Sequence, residues 1–403
     1  MVAVVSPSSG PSAGTFGSTI SVRMQMIVQG FKMTAVAAGI KTGGALDLAL
    51  IQSERPANAA AVFTQNTFIA APLVLSKQHL RETGHRIRAV IVNSGNANAA
   101  TGEAGLPAAR ATADALASHI GCRPNEVIVS STGVIGRRLP FEKIREAIPH
   151  LVESLLPTNL ELLARGIMTT DTVPKIATAR VGETCIAGVA KGAGMIHPDM
   201  ATMLSFIITD ADVAHTELDQ ALRYAVHRSF NSISVDGDTS TNDMVVVLAN
   251  GASGVQPDSR QFRDGLLDVC TQLATAIVRD GEGATKFVEI NVEGAPTEEA
   301  AHTIGRTIAR SPLVKTAIYG ADPNWGRIVG AIGNSGVALK SDRVDIYISG
   351  VLISDATLEQ AQQKLREKEI QIRVVLYSGS ASARVWTCDL TEGYIRINAD
   401  YTT

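Results

Sequence analysis

In the middle of this chain a turn with two glycines and a proline leads into an apolar run, and this pattern limits the folds that the chain can adopt. The turn covers residues 191–198, where Gly192 and Gly194 loosen the backbone and Pro198 fixes a bend. After Thr202 the sequence becomes apolar through residues 204–208, which is typical of a buried strand. The sequence therefore predicts that the middle of the chain forms a buried strand and that Thr202 lies just before it.

Thr202 has a chemical use at this place if the chain breaks before it. A threonine at a new N-terminus carries a hydroxyl nucleophile and an α-amine, and the amine can act as the base that activates the hydroxyl. The glycines and the His197-Pro198 pair allow a strained backbone at Ala201-Thr202, which eases an N-to-O acyl shift. On propensity alone, Thr202 is instead a β-branched residue that opens a strand.

Strand-like and helix-like segments alternate along the 403 residues, which predicts an α/β fold with mixed α+β layers. The predicted strands are 89–93, 126–130, 203–209, 244–249, 287–292, 344–348 and 370–377. The predicted helices are 106–120, 140–156, 216–229, 259–280 and 356–368. Thr216, with Asp219 three positions later, predicts the start of a helix. Residues 169–198 are predicted to be rich in loops and to expose the bond before Thr202.

Composition excludes several classes of function. The net charge of -3 offers no basic field for nucleic acid, and no apolar run approaches the ~20 residues of a membrane helix. Residues 1–20 are rich in serine and glycine and are predicted to be a flexible arm. The four cysteines show no paired spacing, which favours reduced, buried thiols in a cytoplasmic protein.

Metal sites are not expected either. The eight histidines are scattered singly, which argues against zinc. Residues 236–242 imitate the start of a calcium loop but lack its later glycine and glutamate, so they are interpreted as a hydrogen-bonded turn.

Three other positions offer chemistry. Thr132-Gly133 follows a predicted strand and is either an ordinary turn or an oxyanion hole made of a hydroxyl and a backbone N–H. Lys191 is either a surface charge or a cation that holds a substrate carboxylate or lowers the pKa of a new α-amine. Glu282 lies between glycines that fit no phosphate loop, and its carboxylate can face a substrate cation or the Thr202 amine.

Nearly the whole chain resembles one family, the self-cleaving ornithine acetyltransferases, which are bifunctional glutamate N-acetyltransferases of arginine biosynthesis. The strings that carry the resemblance are residues 30–32, 37–41, 93–98, 130–136, 168–172, 191–204, 236–243, 322–327 and 397–403. The resemblance implies a layered α/β fold that is cut between Ala201 and Thr202. Its two chains, 21–201 and 202–403, would stay together, with two copies of each in a heterotetramer.

The resemblance also implies roles for individual residues. Thr202 would be the nucleophile, with Thr132 and Gly133 as the oxyanion hole. The implied substrate-binding residues are Thr169, Lys191, Thr202, Glu282, Asn398 and Thr403. The enzyme would move acetyl from N2-acetylornithine to glutamate through an acetyl-threonine, without a metal or an organic cofactor. Acetyl-CoA is a second candidate donor, as a substrate.

Two other interpretations stay open at this point. One is an N-terminal-nucleophile aminopeptidase or amidohydrolase, which would pass the acyl group to water; the discriminating test is whether glutamate accelerates deacylation. The other is a binding protein in which Thr202 is only part of a strand, and an uncut chain of 42.4 kDa would favour it.

Overall fold

The computed structural model describes residues 27–197 and 203–400, and both ranges are built from alternating strands and helices. The strands are β1 (Phe31–Val36), β2 (Leu48–Phe63), β3 (Arg86–Asn96), β4 (Val127–Val134), β5 (Leu156–Pro157), β6 (Lys175–Val181), β7 (Thr184–Lys191), β8 (Leu204–Thr209), β9 (Ile233–Ser234), β10 (Met244–Ala249), β11 (Phe287–Ala295), β12 (Asp345–Ile348), β13 (Val351–Leu352), β14 (Glu369–Val375) and β15 (Ala381–Cys388). The α-helices are α1 (Ala71–Glu82), α2 (Gly105–Ile120), α3 (Phe141–Glu153), α4 (Leu160–Ile167), α5 (His215–Arg228), α6 (Ser259–Arg279), α7 (Glu298–Arg310), α8 (Pro312–Tyr319), α9 (Trp325–Gly333), α10 (Leu358–Leu365) and α11 (Glu392–Asp400). Short 3-10 turns lie at Thr42–Gly44, Gly102–Ala104, Pro124–Glu126 and Phe230–Ser232.

The larger sheet has nine strands and carries the middle of the chain at its centre. Its main path runs β4-β3-β2-β10-β8-β7-β6, and β1 joins β2 and β5 beside this path. Strand β8 pairs antiparallel with β7, where Lys191 lies opposite Leu204, and parallel with β10. Strands from before and after residue 202 therefore belong to one hydrogen-bonded sheet.

The apolar composition of the central strands follows from their burial on both faces. In β10, Met244, Val246 and Leu248 enter one hydrophobic cluster, while Val245 and Val247 enter another. Helices α5 and α6 contribute to the second of these clusters, and α4 contributes to the first. Because every residue of β8 is also buried, the sheet is enclosed between helical layers at this point.

A smaller sheet of six strands forms the rest of the fold. Its order is β13-β12-β14-β11-β15-β9. Helices α7 to α10 pack with it around a separate core, which includes Val292, Ile304, Ile372 and Val385. The predicted mixed α/β layering is confirmed, and each predicted strand and helix has a counterpart within a few residues, although α10 is shorter than expected.

Some expectations were wrong. Residues 169–198 are not mainly loop, because they contain the hairpin of β6 and β7, which extends the sheet through alternating β-branched and small residues. Helix α5 begins at His215 after Ala214, so Thr216 is not its cap. Cys122 is half-buried, whereas the other three cysteines are buried as expected.

Within the described ranges, no helix is long and apolar enough to cross a bilayer. The predicted arm, residues 1–20, lies outside them.

Candidate active site

A cavity of about 220 Å³ opens at the end of the larger sheet where β4 and β7 finish. It brings together most of the site residues that the sequence indicated, although they are far apart along the chain. These are Thr132, Gly133, Thr169, Lys191, Glu282 and Asn398. Ala201, Thr202 and Thr403 lie outside the described residues. The neighbour of Thr202, Met203, is fully buried and its carbonyl accepts a hydrogen bond from the Met244 amide at 3.0 Å.

The Thr132-Gly133 corner is shaped by the close approach of two parallel strands. Gly133 has a φ of +127°, and a Cβ on it would lie 2.6 Å from the Asn96 nitrogen of β3. Only glycine fits there, which leaves its backbone facing the cavity. The buried amide of Asn242 donates to the Ala97 carbonyl at 2.6 Å and to the Ser131 carbonyl at 2.8 Å. The arrangement provides a rigid corner of the kind that an oxyanion hole requires.

Lys191 ends β7 close to several carboxylates. Burial lowers its pKa, while the nearby charges of Asp171, Asp243 and Glu282 act in the opposite direction. The lysine is half-buried and lines the cavity, so it can meet a substrate carboxylate. The glycine loop after it is held in place because Asp171 accepts the Gly192 amide at 2.6 Å.

Glu282 reaches the same cavity from the second half of the chain. Its amide donates to the Ala193 carbonyl at 2.9 Å, and its Oε2 accepts from Nδ2 of Asn398, on α11, at 2.9 Å. Gly194 makes room for this carboxylate, since a Cβ there would lie 2.6 Å from Oε1 of Glu282. A cation from Lys191 and an anion from Glu282 thus face one space, as an amino-acid substrate would need.

Sequence reasoning missed several residues that shape the cavity. Asn242 was included only in a predicted hydrogen-bonded turn, which the structure confirms: Asp236 accepts the Asp238 amide at 3.2 Å, and the Ser240 hydroxyl accepts the Asn242 amide at 3.2 Å. Asp243 is buried, and its Oδ2 has no hydrogen-bond partner among the described residues. The sequence showed only a run of polar residues, Asp, Ser and Asn, at this place. Which of their side chains is buried depends on contacts with distant residues, such as the Ala97 and Ser131 carbonyls that hold Asn242.

The lowered pKa of Lys191 predicts that substrate binding weakens as the pH becomes alkaline. Above the lowered pKa the ammonium is lost, so the KM of a substrate whose carboxylate it holds should rise at a pH below the usual ~10.4 of lysine. Steady-state kinetics across this range measure the effect. The Lys191→Arg variant is the control, because a guanidinium keeps its charge and should abolish this pH dependence. An identical alkaline rise in both proteins would remove Lys191 from carboxylate binding.

Comparison with known proteins gives the family. The model of the ArgJ family matches residues 32–403. The arginine biosynthesis bifunctional protein ArgJ of Methylococcus capsulatus is 48% identical over 394 residues, covering 93% of this chain and 96% of that protein. The protein of the same name from Thermus thermophilus is 47% identical over 380 residues, covering 93% and 98%.

A solved structure also matches part of the chain. It is the ornithine acetyltransferase of Mycobacterium tuberculosis complexed with ornithine, 45% identical, covering 43% of this chain and 94% of that one, with a TM-score of 0.41. The sequence matches over nearly the full length confirm the predicted family. The chain belongs to the ArgJ family.

Proposed function

We propose that this chain transfers acetyl from N2-acetylornithine to glutamate through an acetyl ester on Thr202, after cutting itself between Ala201 and Thr202. The observation that carries the proposal is the cavity that unites Thr132 and Gly133 with Lys191 and Glu282. Hydrogen-bond donors for an oxyanion and opposite charges for an amino acid occur together there. Membership of the ArgJ family, whose relatives are named for arginine biosynthesis, supports the same reaction.

The reaction would proceed in two half-reactions, formation of the acetyl ester on Thr202 and transfer of the acetyl group to glutamate. The α-amine of Thr202 takes the hydroxyl proton as Oγ attacks the acetyl carbonyl, and the tetrahedral oxyanion is held by Thr132 and the Gly133 N–H. Collapse breaks the amide bond, and the proton leaves with ornithine. The glutamate amine then attacks the ester, passes through the same oxyanion hole and departs as N-acetylglutamate, which restores the Thr202 hydroxyl.

Charge explains how one cavity can serve both substrates. Lys191 would hold the carboxylate of either amino acid, and Glu282 would face the side-chain ammonium of ornithine. Asn398 fixes the Glu282 carboxylate by its hydrogen bond, and Thr169 lines the same cavity. We include Thr403 among the substrate contacts as a further part of the proposal. In this proposal no metal and no organic cofactor takes part, and acetyl-CoA would serve as a second acetyl donor.

The assembly and location belong to the same proposal. We infer two copies of each cleaved chain in a heterotetramer. A cytoplasmic location is supported by the free state of Cys122, Cys185, Cys270 and Cys388, since disulfides are rare in that compartment.

The acceptor distinguishes a transferase from a hydrolase. We expect purified enzyme to release ornithine slowly from N2-acetylornithine alone and much faster with glutamate, with N-acetylglutamate formed in equal amount. A positioned amine should outcompete water because the second step becomes effectively intramolecular. Initial rates should give parallel double-reciprocal plots.

Two other outcomes would lead to different functions. Fast release of ornithine and free acetate without glutamate would indicate a hydrolase. No turnover and an uncut chain would indicate a binding protein. A parallel reaction with acetyl-CoA and glutamate, without acetylornithine, tests the second donor.

A further inference from the structure

A buried lysine behind the cavity pairs with two aspartates. Lys175, at the start of β6, is 2% exposed, and its Nζ lies 2.6 Å from Oδ1 of Asp171 and 2.5 Å from Oδ2 of Asp280. None of the three side chains lines the cavity. We call Asp171, Lys175 and Asp280 the ion-pair bridge.

The first aspartate of the bridge holds two segments of the cavity wall. Asp171 accepts the amide of Thr169 at 2.9 Å and the amide of Gly192, next to Lys191, at 2.6 Å. Burial disfavours its charge, but Lys175, Lys191 and the Gly192 amide outweigh burial and lower the pKa of Asp171. Asp171 is therefore an anion at neutral pH, and its position sets those of Thr169 and Lys191.

The second aspartate leads to the opposite wall. Asp280 directly follows α6 as its C-cap residue, two residues before Glu282, and it accepts the Thr172 amide at 3.0 Å and also the Thr172 hydroxyl. Asp171, Thr172 and Lys175 precede the proposed cut, whereas Asp280 and Glu282 follow it. The bridge is thus an ionic contact between the two proposed chains, placed directly behind the charges that would face substrate.

The energetics favour a defined geometry. A buried ion pair contributes little net stability compared with an apolar replacement, but loss of one partner leaves an uncompensated buried charge, which is strongly destabilising. One attested use of such a pair is to fix the arrangement of the groups around it. Here the bridge fixes the backbone amides of Thr169 and Gly192, which donate to Asp171. It also fixes the carboxylate of Asp280, two residues before Glu282.

We propose that Lys175, Asp171 and Asp280 are positioning residues that set the separation of Lys191 and Thr169 from Glu282 across the boundary between the proposed chains. The inference rests on the proposed function, because it concerns the fit of amino-acid substrates between those charges. Without the bridge, each wall keeps its own fold, but the cation and the anion no longer match one substrate.

The Asp280→Asn variant tests the bridge, because it removes the ionic link between the walls and leaves Lys175 paired with Asp171. We expect the KM values of N2-acetylornithine and of glutamate to rise by roughly tenfold, with kcat changed much less, since the chemical groups remain in place. Asp210→Asn is the matched control. Asp210 is buried and, like Asp280, accepts backbone amides, those of Cys185 and Gln29, but it follows the far end of β8.

A merely structural role would lower stability in both variants and leave their KM values alike. Equal KM values in Asp280→Asn and Asp210→Asn would therefore overturn the proposal. If Asp280→Asn does not fold, Thr172→Val decides in its place, because Thr172 is exposed and only its hydroxyl bond to Asp280 is lost. A KM increase of about two- to threefold is expected, which corresponds to one hydrogen bond of ~0.5 kcal/mol or slightly more, and unchanged KM values would overturn the proposal.

Amide hydrogen exchange separates this inference from the proposed function. Exchange at Gly192 and Thr169 should be faster in Asp280→Asn than in Asp210→Asn, whatever reaction the enzyme catalyses. If the unmodified protein transfers no acetyl, the proposed function fails, and exchange still reports on the bridge. If transfer occurs but neither exchange nor KM responds to Asp280→Asn, the bridge proposal alone fails.

Discussion

The Thr202→Ala variant is expected to remain a single chain of 403 residues and to transfer no acetyl. The missing hydroxyl is needed twice, first for the N-to-O shift that cuts the chain and then as the acetyl acceptor. The segment to be cut joins two neighbouring strands, because Lys191 of β7 lies opposite Leu204 of β8. The hydrogen bonds of the sheet can form whether this connection is cut or intact. The uncut variant should therefore fold normally.

Mass spectrometry and N-terminal sequencing measure the result. Unmodified protein should give two fragments, residues 1–201 and 202–403, which run as a close doublet on a denaturing gel. Thr202→Ser is the control, since it keeps a hydroxyl and is expected to cut and to retain partial activity. Full acetyl transfer by Thr202→Ala, or a new N-terminus other than Thr202, would contradict the mechanism.

Replacing Gly133 with alanine is expected to lower kcat by at least about 100-fold, the usual cost of losing an oxyanion-hole donor. The added methyl group would meet the backbone of β3, with the Asn96 nitrogen 2.6 Å away, so the Thr132-Gly133 corner must shift. The KM should change less, because Lys191 and Glu282 are supplied by other elements. Stopped-time assays of ornithine release, together with a thermal melt, measure both effects.

Gly136→Ala is the matched control for this substitution. Gly136 also has a positive φ, +82°, but no atom lies within 4 Å of a Cβ built on it. Both variants therefore carry backbone strain, and only Gly133→Ala disturbs the corner. Similar kcat values for the two variants would show that Gly133 does not shape the reacting centre.

Local patterns along the chain were enough to predict the central strands. Residues 244–249 are apolar without interruption, and β10 covers that range because both its faces are buried. The β6–β7 hairpin was missed, since its small and polar residues resemble loop composition when their sheet neighbours are unknown. Its strand character comes from pairing with β8, which is a contact made only in the folded protein.

The site was predictable only where a residue type has an obvious chemical use or belongs to a string that resembles the family. Lys191 and Glu282 were found in this way, and the cavity brings them together. Lys175 offered no such signal, because a lysine at a strand start is ordinarily exposed. Its partner Asp280 lies 105 positions later, and no local pattern can link two residues at that separation.

Because strands from both sides of the proposed cut are interleaved in the larger sheet, refolding of the cut protein requires two separate chains to meet. Along its main path, β10 and β8 from after residue 202 lie between β2 and β7 from before it. Once cut, the protein unfolds into two polymers, and each lacks strands that the other supplies. Refolding of the cut form should then be second order, with a melting temperature that falls on dilution. The melting temperature of the uncut Thr202→Ala chain should depend less on concentration, because one polymer carries all the strands of the sheet. Cleavage would thus make the mature enzyme hard to refold once its two chains have unfolded and separated.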